Sequence, residues 1–122
     1  MANLLIRSLA KSVFVLLAAC PPVVWAESVE RECTTDTFVE AVPGSGPRPI
    51  PNETFGMRIT RSSVGFVGSG YFNNYQEPMI DHHSSDRFLA GRDYVRIVFD
   101  YPLLRLTYFN RQTVLVVTAE CR

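Results

Sequence analysis

Residues 95–121 read VRIVFDYPLLRLTYFNRQTVLVVTAEC, and this stretch decides the fold. Val95, Ile97 and Phe99 alternate with Arg96, Val98 and Asp100. After the turn at Asp100-Tyr101-Pro102, Leu104, Leu106 and Tyr108 alternate with Arg105, Thr107 and Phe109. A third run, Val114 to Cys121, sets Leu115, Val117, Ala119 and Cys121 on one side. Side chains of a strand point alternately to opposite faces, so a period of two marks a pleated ribbon with one apolar face. Short turns at 100–102 and 110–112 join the runs into an antiparallel meander.

Working outward, Phe55, Met57 and Ile59 repeat the alternation. Val64 to Gly68 forms a further strand, whose glycines mark a bulge or a close backbone approach, and Tyr71 to Tyr75 continues it. Phe88 to Ala90 is a short strand, and Thr37 to Val42 is β-branched and aromatic enough for another. Residues 43–51 hold four prolines and two glycines, which excludes a central strand and predicts a stiff extended loop. Residues 27–32 read as a short polar tether or turn, and residues 73–86 as a polar loop broken by Pro78. The expectation is an all-β domain over 27–122, with a strand and Pro/Gly-rich loop over 27–54 and the main body over 55–122. Its six or seven strands form a small antiparallel meander, either a closed barrel or a two-layer sandwich.

Residues 1–26 read as an address. Arg7 and Lys11 precede an apolar run from Ser12 to Ala19, no acid occurs before Glu27, and Pro21-Pro22 ends any helix. Val24-Trp25-Ala26 offers small residues where signal peptidase needs them. A transmembrane helix needs about 20 apolar residues, more than this run provides. The preferred reading is a signal peptide cleaved after Ala26, giving a periplasmic or secreted protein. The alternative is a lipoprotein signal over 1–19: Leu17-Ala18-Ala19-Cys20 resembles a lipobox, with Cys20 lipidated and the protein anchored to the envelope.

Two cysteines then remain, Cys33 and Cys121, near the ends of the exported domain. An oxidising compartment permits them to pair. Closing a loop of roughly 90 residues contributes at most about 4 to 5 kcal/mol, which matters for a small core.

The chain has 122 residues with 12 basic and 12 acidic side chains, which disfavours a dedicated nucleic-acid binder. Removal of the leader takes Arg7 and Lys11 but no acid, leaving ten arginines, no lysine and a net charge of −2.

Chemistry-bearing residues concentrate in 77–86, where His82 and His83 lie among Glu77, Asp81 and Asp86. Imidazole with carboxylate suits a divalent metal, so His82, His83, Asp81 and Asp86 are candidate ligands. Neighbouring side chains on a strand diverge, so both histidines could reach one ion only from a loop. A solvated loop is the preferred reading, with no metal and no cofactor. Ser84 or Ser85 beside these residues lacks a nucleophile turn, so no catalytic residue is assigned. The glycines of 65–70 precede no helix start and are not read as a phosphate loop. Tyr71, Phe72, Tyr75, Tyr94, Tyr101 and Tyr108 supply either a binding surface or ordinary packing.

A lipobox-like segment, a Cys near each end and a small all-β body resemble the periplasmic and membrane-bound inhibitors of C-type lysozyme. That family carries Ser-Gly-x-x-Tyr, whose Ser enters the lysozyme cleft. Here Ser69-Gly70 is followed by Tyr71 and Phe72, Asn73 stands in the Tyr position, and Tyr75 comes two positions later. The family's Lys-Gly motif has no counterpart in a domain without lysine. The resemblance implies an interaction loop containing Ser69, Gly70, Tyr71 and Tyr75. The leading expectation is a non-catalytic binding or envelope-associated module. The alternative is an inhibitor of a secreted hydrolase, and a metal-dependent enzyme using 77–86 comes third. The expected partner is an envelope or secreted protein, with no nucleic acid and no membrane contact beyond a lipid anchor.

Overall fold

The computed structural model describes residues 27–68 and 70–122. The expected leader, with Cys20 and the cleavage position after Ala26, lies outside the described residues, as does Ser69.

Alternation becomes architecture directly. The chain runs β1 (Val29–Val42), β2 (Gly46–Pro49), β3 (Thr54–Ile59), β4 (Ser63–Gly68), a single 3-10 turn (Gly70–Phe72), β5 (Tyr75–Ser84), β6 (Arg87–Ala90), β7 (Val95–Asp100), β8 (Leu103–Phe109) and β9 (Val114–Cys121). From β3 to β9 each strand pairs antiparallel with the next, and β9 returns to pair with β1. Eight strands therefore close into a barrel, with β2 as an extra strip beside β1. Closure leaves no long open edge in the barrel wall. The expected choice between barrel and sandwich resolves to the barrel. The six or seven strands expected are corrected to nine among the described residues.

Two added strands, β2 and β5, account for that difference, and β1 starts earlier than expected. Residues from Val29 onward begin β1, because Val29, Arg31 and Cys33 face inward opposite Ile59, Met57 and Phe55. The Pro-rich segment contains β2, which pairs with the outer half of β1 but borders only one neighbour, where prolines are tolerated. The polar loop expected over 73–86 is instead mostly β5. Pro78 fits there because its backbone faces Gly91, just past the end of the short β6, and its carbonyl accepts the Gly91 amide at 2.9 Å. Tyr71 to Tyr75, expected to continue β4, do not: Gly70–Phe72 is a 3-10 turn across the barrel end, and the next strand starts at Tyr75.

β1 bends at a register shift between Thr35 and Thr37. Before it, one edge of β1 pairs with β3; after it, the same edge pairs with β2. Buried Thr35 fastens the connection between β2 and β3 at this bend: its hydroxyl accepts the Glu53 amide at 2.7 Å. The barrel interior is filled by Met57, Phe66, Ile97, Phe99 and Leu104, each 1% exposed or less. Small barrels are packed in this way rather than hollow.

A disulfide joins Cys33 and Cys121, which stand directly opposite each other across the β1–β9 seam. Such a bond fits an oxidising compartment. Among the described residues no helix is long and apolar enough to cross a membrane.

Candidate functional site

Strand polarity gives the barrel two different ends. The connections at 60–62, 85–86 and 101–102 lie with residue 122 at one end. Those at 43–45, 50–53, 70–74, 91–94 and 110–113 lie at the other, termed the mouth.

The first end is plugged. Arg31 points inward from β1, its guanidinium paired with Asp86 and its Cζ 4.4 Å from the centre of the Tyr101 ring. The sequence candidates around residues 77–86 are consequently separated. Asp86 belongs to this plug. His82 stands opposite inward-facing Phe88, whereas His83 and Asp81 are exposed on the outer wall. Glu77 points into the barrel towards the mouth and is 3% exposed. Strand pleating thus disperses what looked like one cluster. Among the described residues, no group of three or more His, Cys, Asp or Glu side chains is placed to hold a metal ion.

The mouth is built from aromatic residues. Gly70 has φ +72°, a left-handed conformation natural to glycine, and a Cβ there would lie 2.4 Å from Glu53 Oε1. This turn delivers Phe72 onto the top of the core, stacked on Phe55 with ring centres 4.0 Å apart. Tyr71 stays half exposed, edge-on to Phe38 at 5.2 Å, and its hydroxyl donates to Glu40 Oε2 at 2.8 Å. The interaction loop expected from Gly70, Tyr71 and Tyr75 therefore crosses the mouth.

Between that segment and the ends of β8 and β9 lies a cleft of about 320 Å³, lined by Tyr71, Phe72, Tyr75, Leu106, Tyr108 and Leu115. Pockets for small molecules usually span about 300 to 1,000 Å³ and combine apolar walls with few polar groups. A larger depression of about 410 Å³ runs beside Glu30, Glu32, Gly56 and Val67, but these belong to the exterior of β1, β3 and β4.

Two tyrosine–glutamate–arginine sets flank the cleft. Tyr75 donates its hydroxyl to Glu77 Oε1 at 2.6 Å, and Arg92 Nε lies 3.3 Å from Glu77 Oε2. Tyr71 is held by Glu40, whose other oxygen accepts from Arg48 at 2.6 Å. Burial, then the hydrogen bond to Glu77, pushes the Tyr75 phenol well above its ordinary value of 10.0. The bond to Glu40 also raises the Tyr71 phenol, while Tyr71 and Arg48 hold the Glu40 carboxyl below its ordinary 4.5. A phenol held protonated donates a hydrogen bond well and makes a poor base. The walls are otherwise Phe and Leu, so the cleft offers contact area and hydrogen bonding rather than an activated nucleophile.

Tyr71, Phe72, Tyr75 and Tyr108 were among six aromatic residues that the sequence left between a binding surface and ordinary packing, with packing preferred. Leu106 and Leu115 were read only as inward strand positions, and Glu40, Glu53 and Arg92 carried no signal. Tyr75 and Glu77 share a face at spacing two, the one cue that would have joined them had β5 been recognised. No protein family matches this chain, and no curated protein or solved structure is significantly similar to it.

Proposed function

We propose that this chain is an exported, non-catalytic binding module that takes a small ligand with apolar surface at the barrel mouth. The observation carrying the reading is the aromatic cleft between Tyr71, Phe72, Tyr75 and Tyr108, over a core otherwise filled with side chains. Large rigid rings supply contact area at little entropic cost, and protonated phenols provide direction. Export accords with the disulfide, and the finer account is a periplasmic or secreted protein beginning at Glu27 after leader removal. Intact mass of the exported product tests that start: an N-terminal Glu27 supports it, and an acylated Cys20 replaces it with envelope anchoring.

Calorimetric titration with indole, a neutral ring that fits the cleft, tests the site. Saturable one-to-one binding, weakened at least about tenfold (1.4 kcal/mol) by Tyr108→Ala, is expected. Binding indifferent to Tyr108 contradicts it.

A second reading, inhibition of a secreted hydrolase through residues 68–75, draws on half-exposed Tyr71, braced by Glu40 on the rim. Competitive inhibition of a C-type lysozyme that disappears in Tyr71→Ala supports it. Full lysozyme activity in the presence of excess protein removes it.

A further inference from the structure

We propose that the ligand of the mouth is a small organic cation, an alkylated ammonium of about choline's size; this rests on the cleft being the binding site and names the class it selects. Among the described residues, three buried side-chain polar atoms have no hydrogen-bond partner: Arg31 Nε, Glu53 Oε2 and Glu77 Oε2. The arginine nitrogen belongs to the plugged end. Both atoms at the mouth are carboxylate oxygens, and there the three carboxylates Glu40, Glu53 and Glu77 are matched by only two arginines, Arg48 and Arg92. An unpaired buried acceptor costs free energy that a suitable ligand removes.

Glu77 carries most of this argument. It is 97% buried, and its single hydrogen bond comes from Tyr75, a wall of the cleft. The nearby Arg92 approaches to 3.3 Å without completing a hydrogen bond and keeps 68% of its side chain in solvent. Glu53 lies against the Gly70 turn, beside Tyr71. Arg48, the other nearby cation, already serves Glu40 and is 72% exposed. The remaining component is the aromatic wall. Ring faces are negative, and clusters of them hold alkylated ammonium groups, most strongly where water is displaced. Four rings backed by buried Glu77 and part-buried Glu53 thus match a compact cation with apolar substituents. An anion would meet Glu40, Glu53 and Glu77 without a buried donor.

Three probes read the claim: choline, its uncharged isostere 3,3-dimethylbutan-1-ol, and indole, each titrated calorimetrically into the disulfide-bonded exported protein. Choline is expected to bind at least about tenfold more tightly than the isostere. Glu77→Gln is expected to erase most of that preference, read as the choline-to-isostere ratio measured within the variant itself. Equal binding of choline and the isostere overturns the cation inference and leaves the cleft standing as a site, as does indole binding with neither of the pair. Failure of all three at millimolar concentration overturns both. Should Glu77→Gln not fold, the choline–isostere ratio on the native protein decides the matter alone.

Discussion

The two ends of the barrel use the same kinds of residue for opposite purposes. At the plugged end an inward arginine is neutralised by Asp86, covered by Tyr101 and Phe99, and set beside a disulfide. At the mouth tyrosines and glutamates also bond to each other, but the arginines stay in solvent and two carboxylate oxygens remain unpaired. An arginine turned inward beneath a tyrosine ring makes a lid, although its Nε also lacks a hydrogen-bond partner. Carboxylates turned inward beneath aromatic rings make the proposed site. On the proposed reading, stability and recognition occupy opposite ends of one barrel, and each end can be perturbed separately.

The largest effect belongs to the seam. Replacing Cys33 and Cys121 together by Ser removes a link across 88 positions of chain and lowers unfolding stability by up to about 4 to 5 kcal/mol on the loop-entropy estimate. Urea denaturation measures it, and a loss below about 1 kcal/mol removes the disulfide from its stabilising role. Next comes the plug. Arg31→Ala loses the packing of the arginine stem and its cover over the core, at about 2 kcal/mol, while Arg31→Met restores more than half of it. Neither substitution changes indole affinity if the ends are independent. A shifted affinity shows that they are coupled.

At the mouth the effects on stability are smaller and the effects on titration clearer. Tyr75→Phe deprives buried Glu77 of its only hydrogen bond and costs about 1 to 2 kcal/mol. Because folding raises the Tyr75 pKa, its contribution is fully present below pH 10.0, the ordinary tyrosine value, and is lost as pH rises beyond it. Ultraviolet titration should find one of the five tyrosines ionising last, and Tyr75→Phe should remove that phase. The smallest effect is Tyr71→Phe, which leaves the melting temperature unchanged and lets the Glu40 carboxyl move up towards 4.5. Folding lowers that carboxyl, so its small contribution exists above the ordinary value and disappears as pH falls through the folded one. Carbon-detected NMR of the Glu40 carboxyl follows the change.

The contrast between ends also explains what could be read from sequence. β3, β4 and β6 to β9 follow clean alternation because one face of each is buried and the other wet, as the burial of β7 shows residue by residue. The disulfide was legible because only two cysteines follow the leader and one lies on an apolar strand face. β5 was not legible. Its inward positions include Tyr75, Glu77 and His82, which do not look like core, and its outward positions include Pro78, Asp81 and His83. Two register shifts within it break the period further. The cleft joins a turn, the start of β5 and the ends of β8 and β9, which only barrel closure brings together. The aromatic residues were therefore visible while their common destination was not.

The most direct measurement of whether the mouth is the recognition end is an amide NMR titration of the exported protein with indole and choline. The account predicts saturable shifts concentrated at Tyr71, Phe72, Tyr75, Leu106, Tyr108 and Leu115, with the amides of Arg31, Asp86 and Tyr101 unmoved. Shifts centred on Arg31, Asp86 and Tyr101, or spread along the outer wall at Val98, Leu103 and Val116, would contradict it.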